Sequence, residues 1–186
     1  MMEEIDHSYL LSLGFNGGHV SDPEKTLRKL RSSANVEVQL FKADLVAGQD
    51  HLHFAARNAL HAFKGKRRRS KSLAVEYLLY VSCQRQISKA IDLLGVTPAD
   101  RQILMVALSE SREALQELER VAPSIIGGQL DEGLIGIGSK KKLAKIRKTF
   151  GVTNREMEAA RMPGESDPDV LKRLIIERSA LLEIAD

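Results

Sequence analysis

Cysteine is almost missing from this sequence, aromatic residues are scarce and no long apolar run occurs, and each shortage removes a class of protein. The single cysteine, Cys83, rules out an intramolecular disulfide and any metal centre built from several thiolates. Its place within an apolar segment predicts a buried, unreactive thiol. No apolar stretch approaches the roughly 18 residues of a membrane span, and the acidic start Met1-Met2-Glu3-Glu4 lacks the basic flank of a signal peptide. A cytoplasmic protein is expected. Catalytic signatures are missing as well. There is no H-E-x-x-H, and the glycines from Gly127 to Gly138 lead into Ser139-Lys140 in the wrong order and spacing for a phosphate loop. No Ser/His/Asp or Cys/His arrangement stands out. His53 and His61 flank Arg57 at helical spacing, and a cation between two would-be ligands opposes binding another cation. Neither an enzyme, a cofactor, a metal nor a small-molecule substrate is expected.

What the chain does have is segregated charge. Its net charge is only +3. The window from Arg57 to Lys89 carries nine basic residues against one acid, Glu76, and the window from Ser139 to Phe150 carries six and no acid. Those windows supply +8 and +6, leaving −11 for the rest. Such an arrangement points a positive face at a polyanion. Lys64, Lys66, Arg67, Arg68, Arg69 and Lys71 are its densest part, and Arg85 and Lys89 extend it. Cations of this kind hold a phosphate backbone by counterion release without reading sequence. With aromatics at 4%, arginine stacking would have to supply part of any base contact.

The 186 residues suit one domain, 1–186, with a sizeable core. Leu10 to Phe15 reads as a short strand, and Ser21 with Glu24 as a capping box opening a helix that has Pro23 in its first turn. Val36, Val38 and Leu40 alternate with polar residues, the period of a strand. Leu52, Ala55, Ala56, Ala59, Leu60 and Phe63 make one buried helical stripe, and Gly65 beyond it suits a left-handed cap. Leu73 to Val81 leaves only Glu76 polar and is expected to be the central core helix. An unpaired buried carboxylate is costly, so Arg85 or a backbone donor should satisfy Glu76. His51, near a helix start, is expected to make a satisfied polar contact. Ile103 to Leu108 reads as a third strand, followed by a helix with Ala114, Leu115, Leu118 and Val121 inward. Gly127 to Gly138 reads as a surface loop or hairpin, Ser139 caps a basic helix, and Thr153 with Glu156 forms a capping box. A last helix should bury Leu171, Leu174, Ile175, Arg178, Leu181 and Leu182. Three strands interrupted by helices predict an α+β fold, mostly helical, with helices on a small three-stranded sheet. Their order does not settle strand direction.

Three stretches in order carry a family likeness: Val46-Ala47-Gly48-x-x-His51-Leu52, then Glu76-Tyr77-Leu78-Leu79-Tyr80-x-Ser82, then Arg85-Gln86-Ile87-x-x-Ala90-Ile91. It continues through Lys141-Lys142-Leu143 and Phe150-Gly151-Val152-Thr153 to Glu177-Arg178-x-Ala180-Leu181-Leu182. The chain resembles the TPRKB family, the PRPK-binding subunit of the KEOPS complex, which threonylcarbamoylates tRNA. The resemblance implies an antiparallel sheet and a non-catalytic subunit that docks on the small lobe of a kinase-like ATPase and binds the 3′ CCA end of tRNA. On that reading Lys64, Lys66, Arg67, Arg68, Arg69, Lys71, Arg85 and Lys89 are expected to contact tRNA. Leu171, Leu174, Ile175 and Leu182 on the last helix are expected to meet the kinase-like partner. A purely protein-binding activator without RNA contact is the alternative.

Overall fold

A computed structural model describes residues 1–65 and 68–182. The fold is built on β4 (Gln102–Ser109), whose continuous apolar run is explained by burial on both faces. Ile103, Met105 and Ala107 face one core, and Leu104, Val106 and Leu108 face the other. β2 (Ser8–Asn16) and β3 (Glu37–Lys42) pair with it on either side, both antiparallel. The expected three strands are thus present and antiparallel. The sheet nevertheless has five strands among the described residues, because β2 takes two short partners along its outer edge. β1 (Met2–Ile5) pairs with its first half and β5 (Gln129–Leu130) with its last residues. Neither is long enough to announce itself by alternation. β5 lies within the glycine-rich stretch expected to be a surface loop or hairpin, and Gly14 admits it: a Cβ there would sit 2.3 Å from the Asp131 carbonyl oxygen.

Helices cover both faces of the sheet. α1 (Pro23–Ala34) and α5 (Arg112–Ile126) enclose one core through Leu30, Leu115, Leu118 and Ala122. α2 (Gln49–Lys64), α3 (Leu73–Ser82) and α4 (Ile87–Leu94) enclose the other. α3 is its centre, with Tyr77, Leu78, Leu79, Tyr80 and Val81 all buried. A third cluster joins α6 (Lys140–Thr149), α7 (Asn154–Ala160) and α8 (Asp167–Ala180) through Ile146, Phe150, Met157, Val170, Leu171 and Ile175.

Two helix ends differ from expectation. Asp22, rather than Ser21, caps α1, accepting from the Lys25 N–H at 3.0 Å. Pro23 causes the shift, since proline forces the residue before it into the extended conformation that an N-cap needs. Gly65 is extended, with φ −85°, and the left-handed caps fall on Asn35 and Cys83 instead. The Ser139 cap and the Thr153/Glu156 capping box form as expected.

Candidate functional site

Two carboxylates, one buried and one half-buried, hold the segment between α2 and α3. Glu76, fully buried, accepts at Oε2 from the backbone N–H groups of Arg69 (2.9 Å) and Ser70 (2.8 Å). A backbone donor therefore meets the need expected of it. Glu37 of β3 accepts from the Ser72 hydroxyl at 3.0 Å and the Ala74 N–H at 2.9 Å. That carboxylate replaces a side-chain cap at the start of α3, where helix N–H groups are otherwise unpaired.

Held in this way, the segment sorts its cations. Lys64, Arg68 and Lys71 are exposed, with the Arg68 guanidinium 5.5 Å from the Phe63 ring centroid. Arg69 turns inward and donates from Nη2 to the Leu182 carbonyl at 2.6 Å. Lys66 and Arg67 lie outside the described residues. Arg85, just before α4, and Lys89 on it are exposed. Among the described residues Lys64, Arg68, Lys71, Arg85 and Lys89 form no ion pair. The expected site is not one compact cluster. Lys71 and Arg85 flank opposite ends of α3, whose ten residues span about 15 Å.

α4 adds a feature that sequence reading missed. Ala90 and Leu94 are buried, whereas Ile87 and Ile91 are 40% and 52% exposed. Being four residues apart, they stand side by side on the outer face, next to Arg85 and Lys89 in the chain. A helical stripe of isoleucines ordinarily signals core, and only the packing of α4 shows this pair turned to water.

The basic helix α6 borders a cleft of about 480 Å³, lined by Asp44, Gln102, Ser139, Lys141, Lys142 and Lys145. Lys142 is half-buried and donates to the Leu134 and Ile135 carbonyls at 2.6 and 3.5 Å. Burial pulls its ammonium down to about 8, against the opposing effect of Asp44.

The groups with reactive potential are occupied by structure. His51 is fully buried: Nδ1 accepts from the Ala47 N–H at 3.3 Å, which leaves Nε2 to donate to the Val81 carbonyl at 3.1 Å. Burial drives its pKa down to about 4. The half-buried Cys83 thiol donates to the Ile175 carbonyl at 3.6 Å, and burial pushes it up to about 12. His53 and His61 pair with Glu3 and Asp6 at 3.1 and 3.0 Å. No group of three or more His, Cys, Asp or Glu residues suited to a metal occurs among the described residues, and no helix there is long and apolar enough to cross a membrane.

On α8, Leu171 and Ile175 are completely buried in the third cluster, with Leu174 half-buried against it. Leu182, at 8% exposure, belongs to the core around α3. These side chains pack inside the protein's own fold, because α8 lies across α2 and α3 with that face inward. Lys172, Arg173 and Arg178 are tied by ion pairs to Asp50, Glu165 and Glu156.

The candidate site is thus a set of exposed cations and isoleucines on the surface of an α+β scaffold. The chain belongs to the family described as kinase binding protein CGI-121, whose profile matches residues 18–183. It is similar to the EKC/KEOPS complex subunit TPRKB of Danio rerio, with 24% identity over 130 residues covering 70% of this chain and 73% of the relative. It is also similar to the regulatory protein Cgi121 of Methanocaldococcus jannaschii, with 30% identity over 128 residues covering 66% of this chain and 80% of that protein.

Proposed function

We propose that this protein is a non-catalytic KEOPS subunit that docks on the kinase-like ATPase and recruits tRNA by its 3′ CCA end for threonylcarbamoyladenosine modification. Membership of a kinase-binding family and likeness to a KEOPS subunit support the partner half of this reading. One observation carries the RNA half: Lys64, Arg68, Lys71, Arg85 and Lys89 stand exposed without carboxylate partners among the described residues. Charge of one sign left unneutralised on a surface raises the local concentration of a polyanion. Ile87 and Ile91 offer unpaired bases an apolar face beside two of these cations, in a protein poor in aromatics. Arg69 belongs to the scaffold rather than to the RNA surface. For the kinase-like partner we favour the surface at the C-terminal end of α8, where Leu181, just past the helix, is 56% exposed. Leu171, Ile175 and Leu182 hold that helix in place from beneath.

Filter binding with purified protein tests the RNA reading. Wild-type protein should bind tRNA in a salt-sensitive manner and bind CCA-trimmed tRNA more weakly. Unchanged tRNA affinity in R85E/K89E and in R68E/K71E would defeat the site. Co-purification with the kinase-like subunit and no binding of tRNA would leave the protein-binding activator as its function.

A further inference from the structure

The two basic windows lie far apart in sequence, yet the fold links the second of them to α4 through the end of β3. Lys42, the last residue of β3, donates from Nζ to the Asp92 carbonyl of α4 at 3.3 Å. Two residues on, Asp44 pairs with Lys145 of α6. α4, the end of β3 and α6 therefore adjoin one another in series. Along α6, Lys141, Lys145 and Lys148 are exposed and recur at i, i+4 and i+7, which sets them on one face. Lys141 and Lys148 form no ion pair among the described residues. Two acids, Asp44 and Asp131, border the cleft against the three lysines Lys141, Lys142 and Lys145. Asp44 is held by Lys145, and Asp131 accepts from the Gly133 N–H at 2.9 Å and the Asn16 amide at 3.5 Å. The surplus charge at this surface is positive, and lysines on flexible stems meet phosphates as point charges without reading bases.

We infer that α6 is a second RNA contact, which holds the phosphodiester backbone of the paired region adjoining the 3′ end, so that α4 and α6 make one cationic track across the end of β3. The inference rests on the tRNA reading above and extends it from the RNA terminus to the body of the molecule.

The test compares full-length tRNA with a short single-stranded oligonucleotide ending in CCA, in filter binding with wild-type protein, K141E/K148E and R85E/K89E. The α6 variant should bind tRNA about tenfold more weakly, with a salt slope smaller by roughly 2, and bind the oligonucleotide like wild type. The α4 variant should lose both ligands. The neutral pair K141Q/K148Q should move in the same direction by less, and both α6 variants should keep the wild-type unfolding midpoint, since the replaced side chains are exposed. Equal tRNA affinity in wild type and K141E/K148E overturns the inference while leaving the α4 site standing. Loss of the kinase-like partner with tRNA binding intact also overturns it, marking α6 as a protein-binding face. Wild-type protein that binds neither RNA defeats the tRNA reading itself and this inference with it, so the wild-type measurement tells the two failures apart.

Discussion

Glu76 is a charged residue in a helix with hardly any polar surface, and what it does is organise backbone. Its carboxylate draws in the N–H groups of Arg69 and Ser70 and so fixes the path of the segment that carries the basic residues. Removing the acceptor leaves both donors unsatisfied in a buried place. Glu76→Ala should therefore cost about 2 kcal/mol or more of stability in denaturant unfolding, and Glu76→Gln, which keeps a carbonyl acceptor, should cost less. A wild-type unfolding midpoint for Glu76→Ala would show that these bonds do not hold the segment. His51 is the second residue with a measurable signature. Its folded-state pKa of about 4 lies below the ordinary value of 6.5, so the folded protein holds it neutral. The stability linked to it is complete above pH 6.5 and is lost as pH falls toward 4, at about 1.4 kcal/mol per pH unit. Unfolding free energies should drop by about 1.5 kcal/mol between pH 6.5 and 5, and His51→Gln should flatten that slope. The position of His51 near a helix start was legible in the sequence. Its burial was not, because α3 supplies both the cover and the Val81 carbonyl.

At the scale of elements, the basic segment between α2 and α3 splits into two jobs that a charge count cannot separate. Arg69 donates to the Leu182 carbonyl beyond α8, so it ties the residues just past α8 to the segment before α3. Arg68 and Lys71 point to water. Arg69→Ala should thus lower the unfolding midpoint while keeping most of the tRNA affinity, and R68E/K71E should do the reverse, read by thermal unfolding and filter binding on the same preparations. If Arg69→Ala weakened tRNA binding as much as R68E/K71E does, with an unchanged midpoint, the division would be wrong. α4 and α8 make a related contrast. Both carry apolar residues at helical spacing, but α8 is covered on that side by α2, α3 and the third cluster, whereas the Ile87 and Ile91 side of α4 is exposed among the described residues. Helical periodicity identifies an apolar stripe and is silent about which neighbour, if any, covers it.

At the scale of the whole molecule, a net charge of +3 conceals an uneven distribution along the chain, two basic windows set against an acidic remainder. Binding that depends on this distribution should weaken steeply as salt is raised from about 50 to 200 mM, since each neutralised phosphate releases counterions. On the proposed assignment, docking of the kinase-like subunit at the apolar C-terminal end of α8 should respond far less over the same range. Measuring both affinities across that series checks the assignment of RNA and protein to different surfaces, and parallel salt dependence would argue against it.

Sequence alone determined most of the helices and the three longer strands, because the 3.6- and 2-residue periods, the caps at Ser139 and Thr153 and the punctuation at Pro23 are local and survive in one dimension. It also showed that positive charge is gathered into two windows of the chain. Tertiary structure decided the rest: that β1 and β5 complete the sheet, that Glu76 captures backbone rather than Arg85, that Arg69 turns inward and that α6 comes to lie beside the end of β3. Each of these depends on residues brought together from distant parts of the chain, and the energy that selects among such pairings is the burial of surfaces that meet only when the whole core closes.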